Sequence, residues 1–314
     1  MGRGRILITP RSLTLGGDPS LRILEQAGYD LVFCGKGKTP EEAELLKIVP
    51  GCVGWIAGVE RISEQVLRAS DGLKAISRNG TGVDSIDLAA CGRLGIQVLT
   101  ADGANARGVA ELAVGLLLGL ARSLPSSDGA LKAGRWERTL GMELAGRTLG
   151  LIGCGRVGRL VAHICLALGM SVLAHDARPD NSFAPSPAFR FVDIGAAFRD
   201  TDCISLHCPY TAGEQPLIGP DSLAQMRRGV LLVNTARAGL IDADALLAEI
   251  ETGRVAGYAT DVFPVEPPPA HALYAHRNVI LTPHIGGYTA ESVSRAAGMA
   301  VENLLRALES PRRR

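Results

Sequence analysis

The chain has 314 residues, 46% hydrophobic and 21% charged, which is the balance of a globular protein long enough for two α/β domains. Thirty-three basic against 32 acidic side chains leave a formal net charge of +1, which excludes a general electrostatic pull toward nucleic acid or an anionic membrane. The seven cysteines (34, 52, 91, 154, 165, 203 and 208) form no C-x-x-C pair and no Cys/His cluster at zinc spacing, which predicts reduced thiols, a cytoplasmic setting and no metal.

In chain order, Arg3 and Arg5 lead straight into Ile6-Leu7-Ile8 without an apolar h-region, so no signal peptide is expected. Strands are predicted over 5–9, 30–34, 54–59, 73–77 and 96–100, with helical spacing between them at 19–27, 40–48, 63–69 and 85–94. Pro19 and Pro40 fit a first helical turn, and Gly28 and Gly95 fit helix stops. A long helix follows over 107–122. Its apolar run from Val109 to Ala121 contains Glu111 and is too short to span a bilayer, so it reads as buried. Residues 123–146, with Trp136, show little periodicity and predict an irregular connection. A second α/β unit opens at Arg147, with six strands predicted over 148–152, 171–175, 203–206, 230–234, 257–260 and 279–281. A last helix is predicted over 290–308 from Val293, Ala297, Ala300, Val301, Leu304, Leu305 and Leu308. The basic end Pro311-Arg312-Arg313-Arg314 reads as a solvated, frayed terminus.

The strongest local motif is Gly153-Cys154-Gly155-Arg156-Val157-Gly158, which follows the predicted strand 148–152 and opens a helix with apolar Leu160, Val161, Ile164 and Leu168. Gly153 permits the tight turn, Gly155 lets backbone approach a pyrophosphate, and Gly158 lets helix and strand pack closely. The N–H groups and dipole at a helix start favour phosphate. Asp176, 18 residues after the last glycine, suits both ribose hydroxyls and repels a 2′-phosphate, which favours NAD; Arg178 weakens that preference.

Three further residues fall after later strands: Arg237 in Asn234-Thr235-Ala236-Arg237-Ala238-Gly239, Glu266 in Phe263-Pro264-Val265-Glu266-Pro267, and His284 in Thr282-Pro283-His284-Ile285-Gly286-Gly287. Oxidising an alcohol needs a base that titrates near neutrality, and histidine does. A carboxylate beside it holds the tautomer and stabilises the imidazolium as the proton arrives. An arginine grips a substrate carboxylate and polarises a carbonyl.

With these strings, together with Ser77-Arg78-Asn79-Gly80-Thr81-Gly82-Val83-Asp84 and Ser205-Leu206-His207-Cys208-Pro209, the chain resembles the D-isomer-specific 2-hydroxyacid dehydrogenases, in particular the short phosphoglycerate dehydrogenase-like branch. The resemblance runs from about Leu73 to about Glu302. It implies two doubly wound parallel-sheet domains: a substrate-binding flavodoxin-like domain over 1–101 and 287–314, and an inserted NAD-binding Rossmann domain over 102–286. It implies that Arg237, Glu266 and His284 carry catalysis, and that Arg78 and backbone N–H groups around Asn79 and Gly80 meet the substrate. Thr81, Cys208, Ala236 and Asp261 would line the nicotinamide half, Asp261 receiving its carboxamide. The glycine turn with Arg156, Val157 and Asp176, then His207, Pro209, Thr235, Arg237, His284 and Gly286 complete the implied cofactor contacts. A homodimer through the cofactor domain, with 107–146 at the interface, is implied as well. In some relatives an arginine after the third strand helps hold a phosphate; here that stretch is Ile56-Ala57-Gly58-Val59-Glu60-Arg61, so the arginine is absent or displaced to Arg61. Substrates of the phosphorylated kind, such as 3-phosphoglycerate, the phosphonate-bearing kind and the plain hydroxy acid kind all stay open. So do an alanine dehydrogenase-like or adenosylhomocysteinase-like enzyme, and a nicotinamide-sensing corepressor-like protein on the same fold.

Overall fold

The computed structural model describes residues 2–15 and 18–309, and the basic end at 311–314 lies outside them. Two compact units divide the chain, one built from the segments up to Asn105 and from Gly287 onward, the other from Ala106 to Gly286.

The first unit holds β1 (Arg5–Ile8), β2 (Asp30–Phe33), β3 (Cys52–Ala57), β4 (Ala75–Arg78) and β5 (Gln97–Thr100), all parallel in the order β2-β1-β3-β4-β5. The central strands are nearly continuous apolar runs because helices cover both faces. On one face Leu45, Val66, Leu67, Ala90 and Cys91 pack against Leu7, Trp55, Ala57 and Ile76. On the other the terminal helix Ala290–Glu309 lays Ala297, Ala300, Val301 and Leu304 over Ile6, Ile8, Ile56 and Ala75. Gly28 and Gly95 end helices at φ +86° and +68°, as expected of residues that adopt left-handed backbone freely. Pro19 and Pro40 do not open their helices, which begin later, at Leu21 and Glu42. The second of these starts instead with a capping box, Glu41 with Glu44.

The second unit holds β6 (Thr148–Ile152), β7 (Ser171–His175), β8 (Phe189–Phe191), β9 (Cys203–Leu206), β10 (Val230–Asn234), β11 (Val255–Thr260) and β12 (Val279–Leu281). They run parallel in the order β12-β11-β10-β9-β6-β7-β8, so the order reverses between β9 and β6 and places a crevice beyond their carboxyl ends. The sheet thus has seven strands, not six. The added edge strand β8 is three residues long and is pinned by edge-on contacts among Phe183, Phe189 and Phe191, with centroids 5.2 Å apart in each pair. Residues 123–146 are also less irregular than expected, because Leu124–Lys132 forms a helix bent 62° from the buried Ala106–Ala121. Among the described residues no single helix is long and apolar enough to cross a membrane. Ala110, Ala113, Val114 and Leu117 of Ala106–Ala121 sit instead in the core of this unit.

Candidate active site

The turn after β6 is shaped for a dinucleotide. Gly153 has φ +93°, and a Cβ there would stand 2.5 Å from the His207 carbonyl, so only glycine fits. A Cβ at Gly158 would lie 2.1 Å from the Gly153 carbonyl oxygen, which locks the helix Arg156–Ala167 close onto the strand. Gly155 caps that helix, and nothing lies within 4 Å of where its Cβ would be. The space above the helix N-terminus is therefore open to a pyrophosphate. At the end of β7, Asp176 accepts from the N–H of Cys154 (2.8 Å) and of Arg178 (2.9 Å), so the carboxylate is fixed with lone pairs left for ribose hydroxyls. Across the reversal point, His207 follows β9 with its Nε2 2.8 Å from Ser205 Oγ. Burial pulls its imidazole down to about 4, so it is neutral at physiological pH. Burial also raises Cys208, which keeps the thiol protonated. Thr235 Oγ1, after β10, is buried without a hydrogen-bond partner, as expected of a group that waits for a ligand. These features fit NAD.

The ends of β10, β11 and β12 are adjacent along one edge of the sheet. After β10 the fully buried Asn234 holds the next turn with both ends of its amide: Nδ2 donates to the Arg237 carbonyl (2.8 Å) and Oδ1 accepts from Ala236 N–H (3.0 Å). That folds the chain back and sets Arg237, whose Nη1 donates to the Ala236 carbonyl at 2.8 Å. After β11, Asp261 is 2% exposed and accepts from Thr282 Oγ1 (2.6 Å), Ile285 N–H (2.8 Å) and Gly286 N–H (2.8 Å). All three donors belong to the loop after β12. Asp261 thereby clamps the loop that carries His284, a positioning task not foreseen from the sequence, where it figured only as a carboxamide contact.

His284 itself has φ +52°, left-handed backbone that a residue with a Cβ rarely adopts. Its Nδ1 lies 2.8 and 2.9 Å from the two Glu266 carboxylate oxygens. A carboxylate only accepts, so Nδ1 carries the proton and donates, leaving Nε2 as the unprotonated nitrogen of the neutral ring. Both side chains are substantially exposed at this edge, at 56% and 41%. The structure therefore joins His284 to Glu266 directly and sets Arg237 two strands away on the same edge.

Arg78, Asn79, Gly80 and Thr81 follow β4 in the first unit. The Asn79 N–H donates to the Ala57 carbonyl (2.8 Å), extending the pairing of β4 with β3, so this donor is spent on the sheet rather than offered to a ligand. The Gly80 N–H closes a tight turn onto the Arg78 carbonyl at 2.9 Å. Gly80 sits at φ +150°, with the Arg78 guanidinium over it: a Cβ would meet Nη1 at 2.9 Å.

The family model of the D-isomer specific 2-hydroxyacid dehydrogenase NAD-binding domain matches residues 114–286. Hydroxypyruvate reductase of Thermotoga maritima is 41% identical over 275 residues, covering 85% of this chain and 89% of that protein. D-3-phosphoglycerate dehydrogenase of Methanocaldococcus jannaschii is 37% identical over 93% of this chain, which spans only 56% of that longer protein. A crystal structure of a Thermus thermophilus protein superposes with a TM-score of 0.87 at 38% identity, covering 97% of both chains. The chain belongs to the D-isomer-specific 2-hydroxyacid dehydrogenase family and is an NAD-binding oxidoreductase.

Proposed function

We propose that the protein moves a hydride between NAD and the C2 of a small D-2-hydroxy or 2-oxo acid, with hydroxypyruvate the leading candidate. The observation that carries the reading is the His284 imidazole held through Nδ1 by both oxygens of Glu266, on the sheet that also bears the glycine turn. Bound NAD supplies the hydride acceptor, or as NADH the donor. The chain's own residues handle the proton and the anion. His284 Nε2 takes the hydroxyl proton during oxidation and returns it to the carbonyl oxygen during reduction, while the Glu266 carboxylate faces the imidazolium formed in the first case. Arg237 presents a fork of permanently charged donors to the substrate carboxylate and carbonyl. Cys208, Pro209, Ala236 and Asp261 face the nicotinamide half. The 41% identity to a hydroxypyruvate reductase of nearly equal length supports that substrate over 3-phosphoglycerate.

The seven cysteines, all free of disulfides, fit a cytoplasmic setting. Trp136 and Leu140, 83% and 100% exposed, support a reading of the 107–146 region as a homodimer face. NADH oxidation against hydroxypyruvate, glyoxylate, 2-oxoglutarate, phosphohydroxypyruvate and phosphonopyruvate tests the reading, with turnover of at least one expected. Stoichiometric NADH binding with no turnover on any of them sinks it in favour of a nicotinamide sensor.

A further inference from the structure

The loop that follows β7 carries an ion pair that the cofactor contacts above leave unused. Arg159, near the start of the helix Arg156–Ala167, places its Nη2 2.8 Å from Asp180 Oδ2. Its Nε donates to the Cys154 carbonyl at 3.2 Å, inside the glycine turn. Its guanidinium carbon stands 4.8 Å from the centre of the Phe183 ring, a cation over an aromatic face. Three contacts hold one side chain down.

The other end of the pair is fixed as well. Asp180 Oδ1 accepts from Ser182 N–H (3.1 Å) and from Ser182 Oγ (2.6 Å), so the loop closes on its own carboxylate. Phe183 meets His163 and Phe189 edge-on, with centroids 5.5 and 5.2 Å away. The Ser182 hydroxyl and Arg159 hold the Asp180 carboxyl below the usual carboxylate range, so it is charged at neutral pH.

Residue 154 joins this pair to the ribose site. Its N–H donates to Asp176 and its carbonyl accepts from Arg159, so acid and guanidinium grip the two ends of one residue. Asp176, Asp180 and Arg159 all act electrostatically on the Cys154 thiol. Arg178, exposed two residues beyond Asp176, donates its N–H to that carboxylate. In the loop 176–180 and the helix residue facing it, two acids therefore stand against two arginines, and the patch is electrically balanced.

Such a balance does not attract a further dianion. NADP differs from NAD by a phosphate on the adenosine ribose, at the hydroxyl that an acid closing the second strand of this fold meets. Asp176 repels that phosphate directly. Asp180 acts at one remove, because it occupies the donors that Arg159 otherwise presents, and a guanidinium fork is a strong phosphate ligand. Without the Asp180 charge, Arg159 keeps its Nε anchor on the Cys154 carbonyl while its Nη donors are released, next to the residue that Asp176 holds.

We propose that Asp180 is a second determinant of NAD over NADP, engaging Arg159 and so withholding a cation from the 2′-phosphate. Asp176 is the direct barrier; Asp180 is a positioning residue that acts through Arg159. This role rests on NAD occupying the glycine turn with its adenosine ribose at Asp176, and not on which acid is oxidised.

The test is Kd for NADH and for NADPH by fluorescence titration, which reads binding without turnover. The wild type binds NADH more tightly, by about tenfold or more. Asp180→Asn keeps the shape of the side chain and removes its charge. It narrows the gap between the two cofactors about tenfold, the size of one charge-assisted hydrogen bond. That gain in NADPH affinity fades as salt is raised. Adding Arg159→Met to Asp180→Asn restores the wild-type gap to within about twofold, because the two sites are coupled. Asp180→Glu retains the pair and keeps the wild-type gap. A merely structural role would weaken NADH and NADPH alike and leave the gap unchanged. That result, or an Arg159→Met that fails to cancel the Asp180→Asn gain, overturns the proposal while hydride transfer stands. An unchanged gap in Asp176→Ala removes the ribose contact, and the proposal with it. Failure of hydride transfer shows instead in the oxo acid panel and leaves these binding ratios as they are.

Discussion

The polar edges of the two sheets follow one plan, parallel strands ending in loops, and treat their hydrogen bonds in opposite ways. At the ends of β10, β11 and β12, Asn234 bonds its next turn through both ends of its amide, Asp261 takes three donors and both Glu266 oxygens accept from His284. Thr235 Oγ1 is the buried exception on that edge among the described residues. At the end of β4, three consecutive residues, Ser77, Arg78 and Asn79, each bury a polar atom with no partner. Such an atom costs about 1–3 kcal/mol. One edge has its hydrogen bonds committed within the fold, and the other keeps buried polar atoms without a partner.

The largest break in this comparison is His284→Ala. Turnover falls by about a hundredfold to ten-thousandfold, the range of a lost general acid–base group. NADH affinity, followed by fluorescence titration, stays within about twofold, and lost NADH binding would assign His284 to the cofactor instead. Glu266→Gln offers Nδ1 a neutral acceptor, and losing a charge-assisted bond of about 1.5–3 kcal/mol lowers kcat roughly tenfold to a hundredfold. An unchanged kcat would detach the pair from the chemistry.

His207 gives a stability readout of the organised edge. Its folded pKa, about 4, lies below the ordinary 6.5, so between these values the unfolded chain binds more protons. Stability is therefore complete above pH 6.5 and is lost as pH falls toward 4, by at most about 3 kcal/mol. Urea denaturation at pH 7 and pH 4.5 measures it, and His207→Gln should flatten the difference. The smallest effect is Ser77→Ala on the other edge. Removing an unpartnered hydroxyl leaves stability within about 0.5 kcal/mol or raises it; a loss above about 1 kcal/mol would mean that the hydroxyl is bonded after all.

Much of this architecture was legible from local pattern. The strands 148–152, 171–175, 203–206, 230–234 and 279–281 stand where apolar runs between glycine turns placed them. Short or polar elements were not. Phe189–Phe191 is too brief to show alternation and is held by phenylalanines folded against it, and Leu124–Lys132 has too few apolar positions to show a stripe. Within the site, residue types pointed to Arg237, Glu266 and His284, but hydrogen-bond commitments depend on segments brought together from far apart. Asp261 clamps a loop more than twenty residues downstream, Asn79 gives its N–H to Ala57, and Glu60 pairs with Thr9, 51 residues earlier. None of these partnerships leaves a periodic trace. Only a buried Asn at a strand end, such as Asn234, hints at its own turn.

The terminal helix Ala290–Glu309 closes one face of a sheet whose strands all lie before residue 101. On the ribosome, every residue of the cofactor unit has been synthesised before that helix emerges, so the nucleotide-binding half can mature while Ile6, Ile8, Ile56 and Ala75 still lack their cover. A premature stop ahead of Ala290 would thus leave the earliest-made strands with a bare oily face, a target for chaperones and proteases.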